Sequence, residues 1–358
     1  MTVDAERRAV DDLSNGGRIL VSRLQYLGDV ILTLPAVRAI KDHFPGVEID
    51  YLSRSVGAEV LEGEPRLSRV FRVPEKPEGV LAQLRLISAL RARRYAAAVD
   101  WYSNPRSALL ARLSGARLRV GGARRGRSLM YTHPMAAPAA IRSAIDHHLY
   151  YLKPLGIEAA ATRPVLNPTE SERARAAEAL AGCGAGPEWG TRVGVHPGGK
   201  WEVKRWPVEH FATLAKNLAG RSGFRVVVLA GPGDERYRDA LRRELGDRAA
   251  YLPVLPIRDT VAVLAALDGM VVNDGGIMHA SVAAGTPTVG IFGSSEPDIW
   301  FPYESFGPFV PAYQPIECRP CHLHECGHLS CLRRLAPEAV EARITDVLCR
   351  AGKLSAGR

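Results

Sequence analysis

The sequence lacks any apolar run approaching the ~18 residues that a membrane-spanning helix needs. Its first 17 residues are polar and mixed in charge, without the apolar stretch of a secretory leader. These two absences lead us to expect a soluble, cytoplasmic chain. Short-period repeats and low-complexity tracts are also missing. Acidic residues are in deficit: 38 Asp and Glu stand against 47 Lys and Arg, a net charge of +9. The expected partners are therefore acidic, such as phosphates, carboxylates or an anionic surface. Cysteine is sparse and unevenly placed, with four of the six between positions 318 and 331. In a reducing compartment that clustering favours a metal over disulfides. What is present in quantity is apolar sequence, 46% of 358 residues, enough for two domains with real cores.

Apolar runs alternate with helical periodicity along the whole chain. Behind an N-terminal arm read as loose, strands are expected at 18–23, 47–52, 69–73 and 96–100, with helices at 30–43, 81–94 and 141–155. The Arg- and Gly-rich segment 115–138 reads as an irregular surface loop. A boundary is expected within 167–190, after which the pattern repeats. Strands follow at 192–195 and 225–229, helices at 207–218 and 235–245, then a strand at 270–272, a helix at 277–284 and a strand at 288–292. This βαβ alternation implies parallel sheets with helices on both faces, in two doubly wound, Rossmann-like domains with a cleft between them. The expected divisions are 1–168, 190–335 and a closing amphipathic helix within 336–358.

Three strand-to-helix turns in the second half could carry chemistry. Asn273–Asp274–Gly275–Gly276 breaks a buried strand and opens a helix, and such a turn offers free backbone N–H groups to a phosphate. His196–Pro197–Gly198–Gly199 follows another strand, with Lys200, Lys204 and Arg205 close behind. A lysine beside such a turn can neutralise charge on a departing diphosphate. In Gly231–Pro232–Gly233–Asp234–Glu235 an acid could bind ribose hydroxyls, or Asp234 could simply cap its helix. In the first half, Gly28–Asp29 opens a helix after the first strand. Asp29 reads equally as an N-cap or as a general base.

Taken together, these pieces resemble the family-nine glycosyltransferases, the ADP-heptose:lipopolysaccharide heptosyltransferases. The resemblance runs over 18–348. It is carried by Gly28–Asp29–Val30 with Leu34–Pro35–Ala36, and by His196–Pro197–Gly198 with Lys204–Arg205–Trp206–Pro207. It continues in Asp274, Gly276 and Met278–His279, then Ala283–Ala284–Gly285–Thr286–Pro287–Thr288, Phe292–Gly293 and Trp300. The resemblance implies a GT-B fold, with an acceptor-binding N-terminal domain and a nucleotide-sugar-binding C-terminal domain. It implies inverting transfer of a heptose from ADP-heptose, with Asp29 as catalytic base and Lys204 on the donor phosphates. Asp274 would contact the heptose and the Gly275–Gly276 backbone the diphosphate. His196, Gly198, Gly199, Lys200, Glu235, Met278 and His279 complete the expected donor site. Two positions depart from the family: Gly275 stands where threonine is common, and Lys200 where a small polar residue is common.

Between positions 85 and 142 lie twelve arginines and a single acid, Asp100. Arg117, Arg119, Arg124, Arg125 and Arg127 crowd one segment. Guanidinium forks suit carboxylates and phosphates, so an acidic glycan such as lipopolysaccharide inner core is the expected acceptor, met by Arg54, Arg124, Arg125 and Arg127. A basic face kept for solubility, or for peripheral attachment at the inner membrane face, is the plainer alternative. A protein serine or a small natural product could replace the glycan. A non-catalytic binder of nucleic acid or membrane would not need Asp29, Lys204 and Asp274 together, so nucleic acid is not an expected partner.

Cys318, Cys321, Cys326 and Cys331 form a CxxCx4Cx4C cluster with His322, His324 and His328 interleaved. They resemble the four cysteines that hold an iron in the branch acting on autotransporter proteins. Zinc would suit the same thiolates, and free or disulfide-linked thiols are the alternative. Transfer itself is expected to need no cofactor, so any iron or zinc would be structural.

Overall fold

The computed structural model describes residues 3–75, 79–124 and 126–354. The chain forms two compact units, Met1–Pro164 and Val165–Arg358.

The first unit is built on six parallel strands: β1 (Arg18–Ser22), β2 (Glu48–Ser53), β3 (Arg69–Arg72), β4 (Ala97–Asp100), β5 (Leu118–Gly122) and β6 (His133–Met135). Their order across the sheet is β3-β2-β1-β4-β5-β6. Ile19, Leu20 and Val21 of β1 are all buried, as a central strand covered on both faces requires. The expected single helix at 30–43 is two, Leu27–Ile31 and Leu34–His43. Between them the Thr33 hydroxyl donates to the Val30 carbonyl and meets the Tyr51 hydroxyl, each at 2.7 Å. Pro35 suits the first turn of the second helix, where an N–H is not needed.

Two expectations fail here. The N-terminal arm is a helix, Val3–Ser14, that buries Ala9 and Leu13. The supposed surface loop at 115–138 supplies β5 and β6, paired in register with β4 and with each other. In β5 the side chains of Leu118 and Val120 point inward while Arg119 lies between them. Arg119 does not serve the surface: its guanidinium donates to the Met130 carbonyl (2.9 Å) and the Ala116 carbonyl (2.7 Å). Burial, helped by the Arg112 charge, lowers its pKa. Arg117 pairs with Asp12 of the N-terminal helix. Gly121 lies beneath Tyr131, where an added Cβ would sit 2.2 Å from the ring. The absent side chain lets the Tyr131 hydroxyl reach Asp100 Oδ2 at 2.7 Å.

The second unit repeats the plan with β7 (Thr191–His196), β8 (Phe224–Val228), β9 (Ala249–Tyr251), β10 (Gly269–Asn273), β11 (Thr288–Ile291) and β12 (Phe309–Ala312). All are parallel, in the order β12-β11-β10-β7-β8-β9. Read from each unit's own first strand, both sheets follow the doubly wound order. The order in which strands are added reverses between β1 and β4 in one sheet and between β7 and β10 in the other. Ligands of such sheets bind outside the carboxyl ends of the strands that flank this point. Helix Glu170–Gly182 is tied to helix Ile257–Ala266 by Arg258 on Glu172 (2.8 Å) and Arg175 on Asp259 (2.6 Å). Helix Pro337–Arg350 buries Val340, Ile344, Val347 and Leu348, a helical stripe lying over β10. A Cβ on Gly269 would stand 2.9 Å from Leu348, so the glycine sets how closely that helix packs. Among the described residues no helix is long and apolar enough to cross a membrane.

Candidate active site

In the second unit, the turns after β7 and β10 flank the reversal point, and three expected residues meet there. Asp274 follows β10, is buried, and anchors its own N–H on the Ile291 carbonyl at 2.9 Å. Its Oδ2 receives the Lys204 ammonium at 2.7 Å and the Ser295 hydroxyl. Helix Gly276–Ala284 begins immediately after, and Gly275, its N-cap, has no side chain to satisfy the first amides. A helix N-terminus and a lysine are therefore gathered beside one carboxylate, an arrangement able to take a diphosphate and a sugar hydroxyl.

The His196–Gly199 turn is fixed by a residue for which no site role was expected. The Asn273 amide donates to the Pro197 carbonyl (2.9 Å) and the Gly198 carbonyl (3.0 Å), while its Oδ1 accepts the Trp206 N–H at 3.1 Å. One side chain so ties both ends of the lysine-bearing loop to β10. The available signal was a polar residue at the end of a fully buried strand, where each polar atom must find a partner. Gly198 admits Asp234: an added Cβ would lie 2.1 Å from Asp234 Oδ2. Gly199 has φ +154°, and its carbonyl accepts from Arg205 at 3.2 Å. His196 is buried under this turn with Nε2 unpartnered among the described residues. Burial lowers its pKa and the Asp234 charge partly opposes that.

Other expected donor residues stand apart. Met278 is fully buried beneath β11, where a Cβ on Gly290 would lie 2.7 Å from its sulfur. His279 is also buried, its Nδ1 2.8 Å from the Tyr303 hydroxyl. Both side chains thus pack inward from the helix whose N-terminus faces the turn. Lys200 is exposed with its ammonium over the Trp201 ring, and Glu235 lies in the first turn of helix Glu235–Leu245.

In the first unit, Asp29 sits in the first turn of helix Leu27–Ile31. Its Oδ1 pairs with Arg23 at 2.7 Å and its Oδ2 accepts the Tyr26 N–H at 2.9 Å. It is therefore not the N-cap, a position held by Tyr26. Arg23 is braced in turn by the Trp101 carbonyl (2.9 Å) and the Tyr102 ring. At the end of β4, Asp100 is fully buried and accepts from Ser22, the Tyr102 N–H, the Ser103 N–H and Tyr131.

The expected acceptor arginines are spread over several loops. Arg127 donates to the Ser103 carbonyl at 2.9 Å. Arg124 is exposed and, with Arg23, adds to the burial that lowers the His147 pKa. Arg54 follows β2; its Nη1 is 3.8 Å from Glu75, and its buried Nε has no partner among the described residues. Arg125 lies outside the described residues.

The four clustered cysteines are free thiols, Cys318 exposed and Cys331 buried. Burial raises the Cys331 pKa, and the charges of Cys318, Cys321 and Cys326 raise it further, so the four lie in one neighbourhood. Among the described residues, however, no three His, Cys, Asp or Glu side chains are arranged to hold a metal ion, and the expected ligand set is not formed.

Comparison with known proteins agrees with this architecture. The model of glycosyltransferase family 9 (heptosyltransferase) matches residues 83–326. Lipopolysaccharide heptosyltransferase 3 of Escherichia coli is 23% identical over 300 residues, 79% of this chain and 85% of that protein. A family 9 glycosyltransferase from Veillonella parvula superposes with a TM-score of 0.81 at 22% identity, over 93% of this chain and 97% of the other. The E. coli ADP-heptose lps heptosyltransferase II gives 0.78 at 20% identity, over 94% and 99%. Two Rossmann-like domains of this kind make a GT-B fold, and the chain belongs to glycosyltransferase family 9, the heptosyltransferases.

Proposed function

We propose that this chain moves a heptose from ADP-heptose to an acidic acceptor of the lipopolysaccharide inner core, with inversion at the anomeric carbon. The observation that carries the reading is the Lys204–Asp274 pair at the open N-terminus of helix Gly276–Ala284, in a chain of this family. Lys204 exchanges its carboxylate partner for the donor diphosphate and neutralises the charge that builds on departing ADP. Asp274, released from the lysine but still held by Ser295, faces the heptose hydroxyls. Asp29 takes the proton of the acceptor hydroxyl as its oxygen attacks the anomeric carbon. Arg54, Arg124 and Arg127 meet the acceptor's carboxylates and phosphates, and the unsatisfied Nε of Arg54 supports that role. The enzyme works in the cytoplasm, attached peripherally to the inner membrane face where such an acceptor is presented. No cofactor enters the transfer.

The test begins with the donor. Purified protein is heated with ADP-heptose, ADP, UDP-glucose and GDP-mannose in turn, and labelled heptose is then offered to lipopolysaccharide truncated before its heptoses. ADP-heptose should raise the melting temperature most, and label should enter the lipopolysaccharide. Stabilisation by a UDP- or GDP-sugar alone would defeat the donor assignment. Label that enters protein, or no acceptor at all, would defeat the acceptor assignment.

A further inference from the structure

The cysteine-rich segment is absorbed by none of the chemistry above, yet it lies directly against the donor site. Three consecutive carbonyls after β11, those of Gly293, Ser294 and Ser295, all receive hydrogen bonds from 319–322. Arg319 Nε donates to the Gly293 carbonyl and its Nη2 to the Ser295 carbonyl, each at 2.9 Å. The Cys321 and His322 N–H groups both donate to the Ser294 carbonyl, at 3.1 and 2.9 Å. The Arg319 guanidinium is stacked on the Tyr313 ring, 4.1 Å from its centroid. Ser294 and Ser295 are buried, and the Ser295 hydroxyl is the one that holds Asp274. The segment reaches the lysine loop as well. The His324 ring packs on Trp201 at 4.8 Å, and the turn that the segment braces also meets this loop, since an added Cβ on Gly293 would lie 2.2 Å from the Val203 carbonyl, next to Lys204.

We propose that Arg319 and Ser295 are positioning residues of the donor site: Arg319 fixes the Gly293–Ser295 turn, and through it Ser295 sets the Asp274 carboxylate against Lys204. Neither touches the donor. A planar fork with two divergent donors is what this task needs, and a lysine ammonium cannot bracket two carbonyls in the same way. The consequence for binding follows from where Asp274 points. A displaced carboxylate loses the sugar more than the nucleotide, so the loss appears in ADP-heptose affinity rather than in ADP affinity. This consequence rests on the proposed donor reading.

Two measurements test the proposal on the full-length protein. In calorimetric titration, Ser295→Ala and Arg319→Gln should each weaken ADP-heptose binding about tenfold, as loss of a hydrogen bond to a charged group implies, with ADP changed far less. Arg319→Lys should recover part of the loss. The double variant should be no worse than Ser295→Ala alone, because the two act in series. A purely structural role would instead lower the melting temperature and weaken both ligands alike. Fully additive losses or unaltered affinities would overturn the proposal.

The second measurement needs no donor. Trace acetylation with acetic anhydride, read by mass spectrometry, should modify Lys204 several-fold faster in both single variants than in the unaltered protein. Lys216, which pairs with Glu244, serves as the internal reference. If the unaltered protein ignores ADP-heptose, the functional reading fails and this labelling alone decides the inference. Unchanged Lys204 labelling in both variants overturns it.

Discussion

Asp29 is a constrained carboxylate: Arg23 takes one oxygen and the Tyr26 N–H the other. Each oxygen of a carboxylate has a second lone pair, so capacity to accept a proton from an acceptor hydroxyl remains. Replacement by asparagine keeps an oxygen for the Tyr26 N–H but removes the basic function together with the charge that pairs with Arg23. Asp29→Asn should therefore lower turnover by ~10²–10⁴-fold, the usual range for a general base, while ADP affinity stays level. Steady-state kinetics with calorimetry would measure both, and near-normal turnover would return Asp29 to a structural role. At the same scale, Lys204 and Asp274 were recognisable from sequence as a cation near a Gly-rich turn and an acid within one. Their direct contact was not, since 70 residues of chain separate them and only the pairing of β7 with β10 brings their loops together. Asn273 was hidden for the same reason: all three of its partners lie in the 197–206 loop.

Elements were legible where their burial was uniform and obscure where charge interrupted it. β1, β4, β7, β8, β10 and β11 are central or near-central strands, and their apolar runs announced them. β5 escaped notice because arginines flank and interrupt it, although Arg119 turns back onto main-chain carbonyls and Arg117 pairs with Asp12. A guanidinium that caps a strand and one that awaits a ligand are identical in sequence. β9 and β12, at the edges, are only 3 and 4 residues long. The cysteine-rich segment is the converse case, an arresting motif whose geometry is incomplete. Its sulfurs share one neighbourhood without forming a ligand set, and we propose that a structural iron or zinc draws them together. Protein purified without metal-affinity resin should then contain about one metal per chain, the stoichiometry of a four-thiolate site. Cys318→Ser with Cys321→Ser should release the metal and lower the melting temperature. Metal-free protein with an unaltered melting temperature would defeat the proposal.

At the scale of the whole molecule, two sheets of one topology are held by different buried ionisable groups, and this gives each unit its own response to acid. In the first unit His148 is buried, and its Nδ1 lies 3.1 Å from the Leu32 carbonyl. A carbonyl only accepts, so Nδ1 carries the proton. Burial and the Arg23 charge push its pKa down from 6.5 to about 3. In the second unit the Arg258 guanidinium on Glu172 holds that carboxyl at about 2 rather than 4.5. For His148 the unfolded chain binds a proton below pH 6.5 that the folded chain refuses. Stability is therefore intact above pH 6.5 and is lost as pH falls from there towards 3. For Glu172 the contribution is intact above pH 4.5 and lost between 4.5 and 2. Between pH 6.5 and 4.5 Glu172 is silent and the histidines of lowered pKa act, His148 with His147 in the first unit and His196 in the second, so a variant at His148 is needed to separate its share. His148→Asn keeps a donor for the Leu32 carbonyl and cannot titrate. Urea denaturation followed through Trp101, whose indole donates to the His148 carbonyl at 3.0 Å, should show the unaltered protein losing stability across that window. The variant should start less stable, through the smaller side chain, but hold a flatter profile. Equal slopes in the two proteins would mean that His148 is protonated in the folded state, and that its burial does not set the acid limit of this unit.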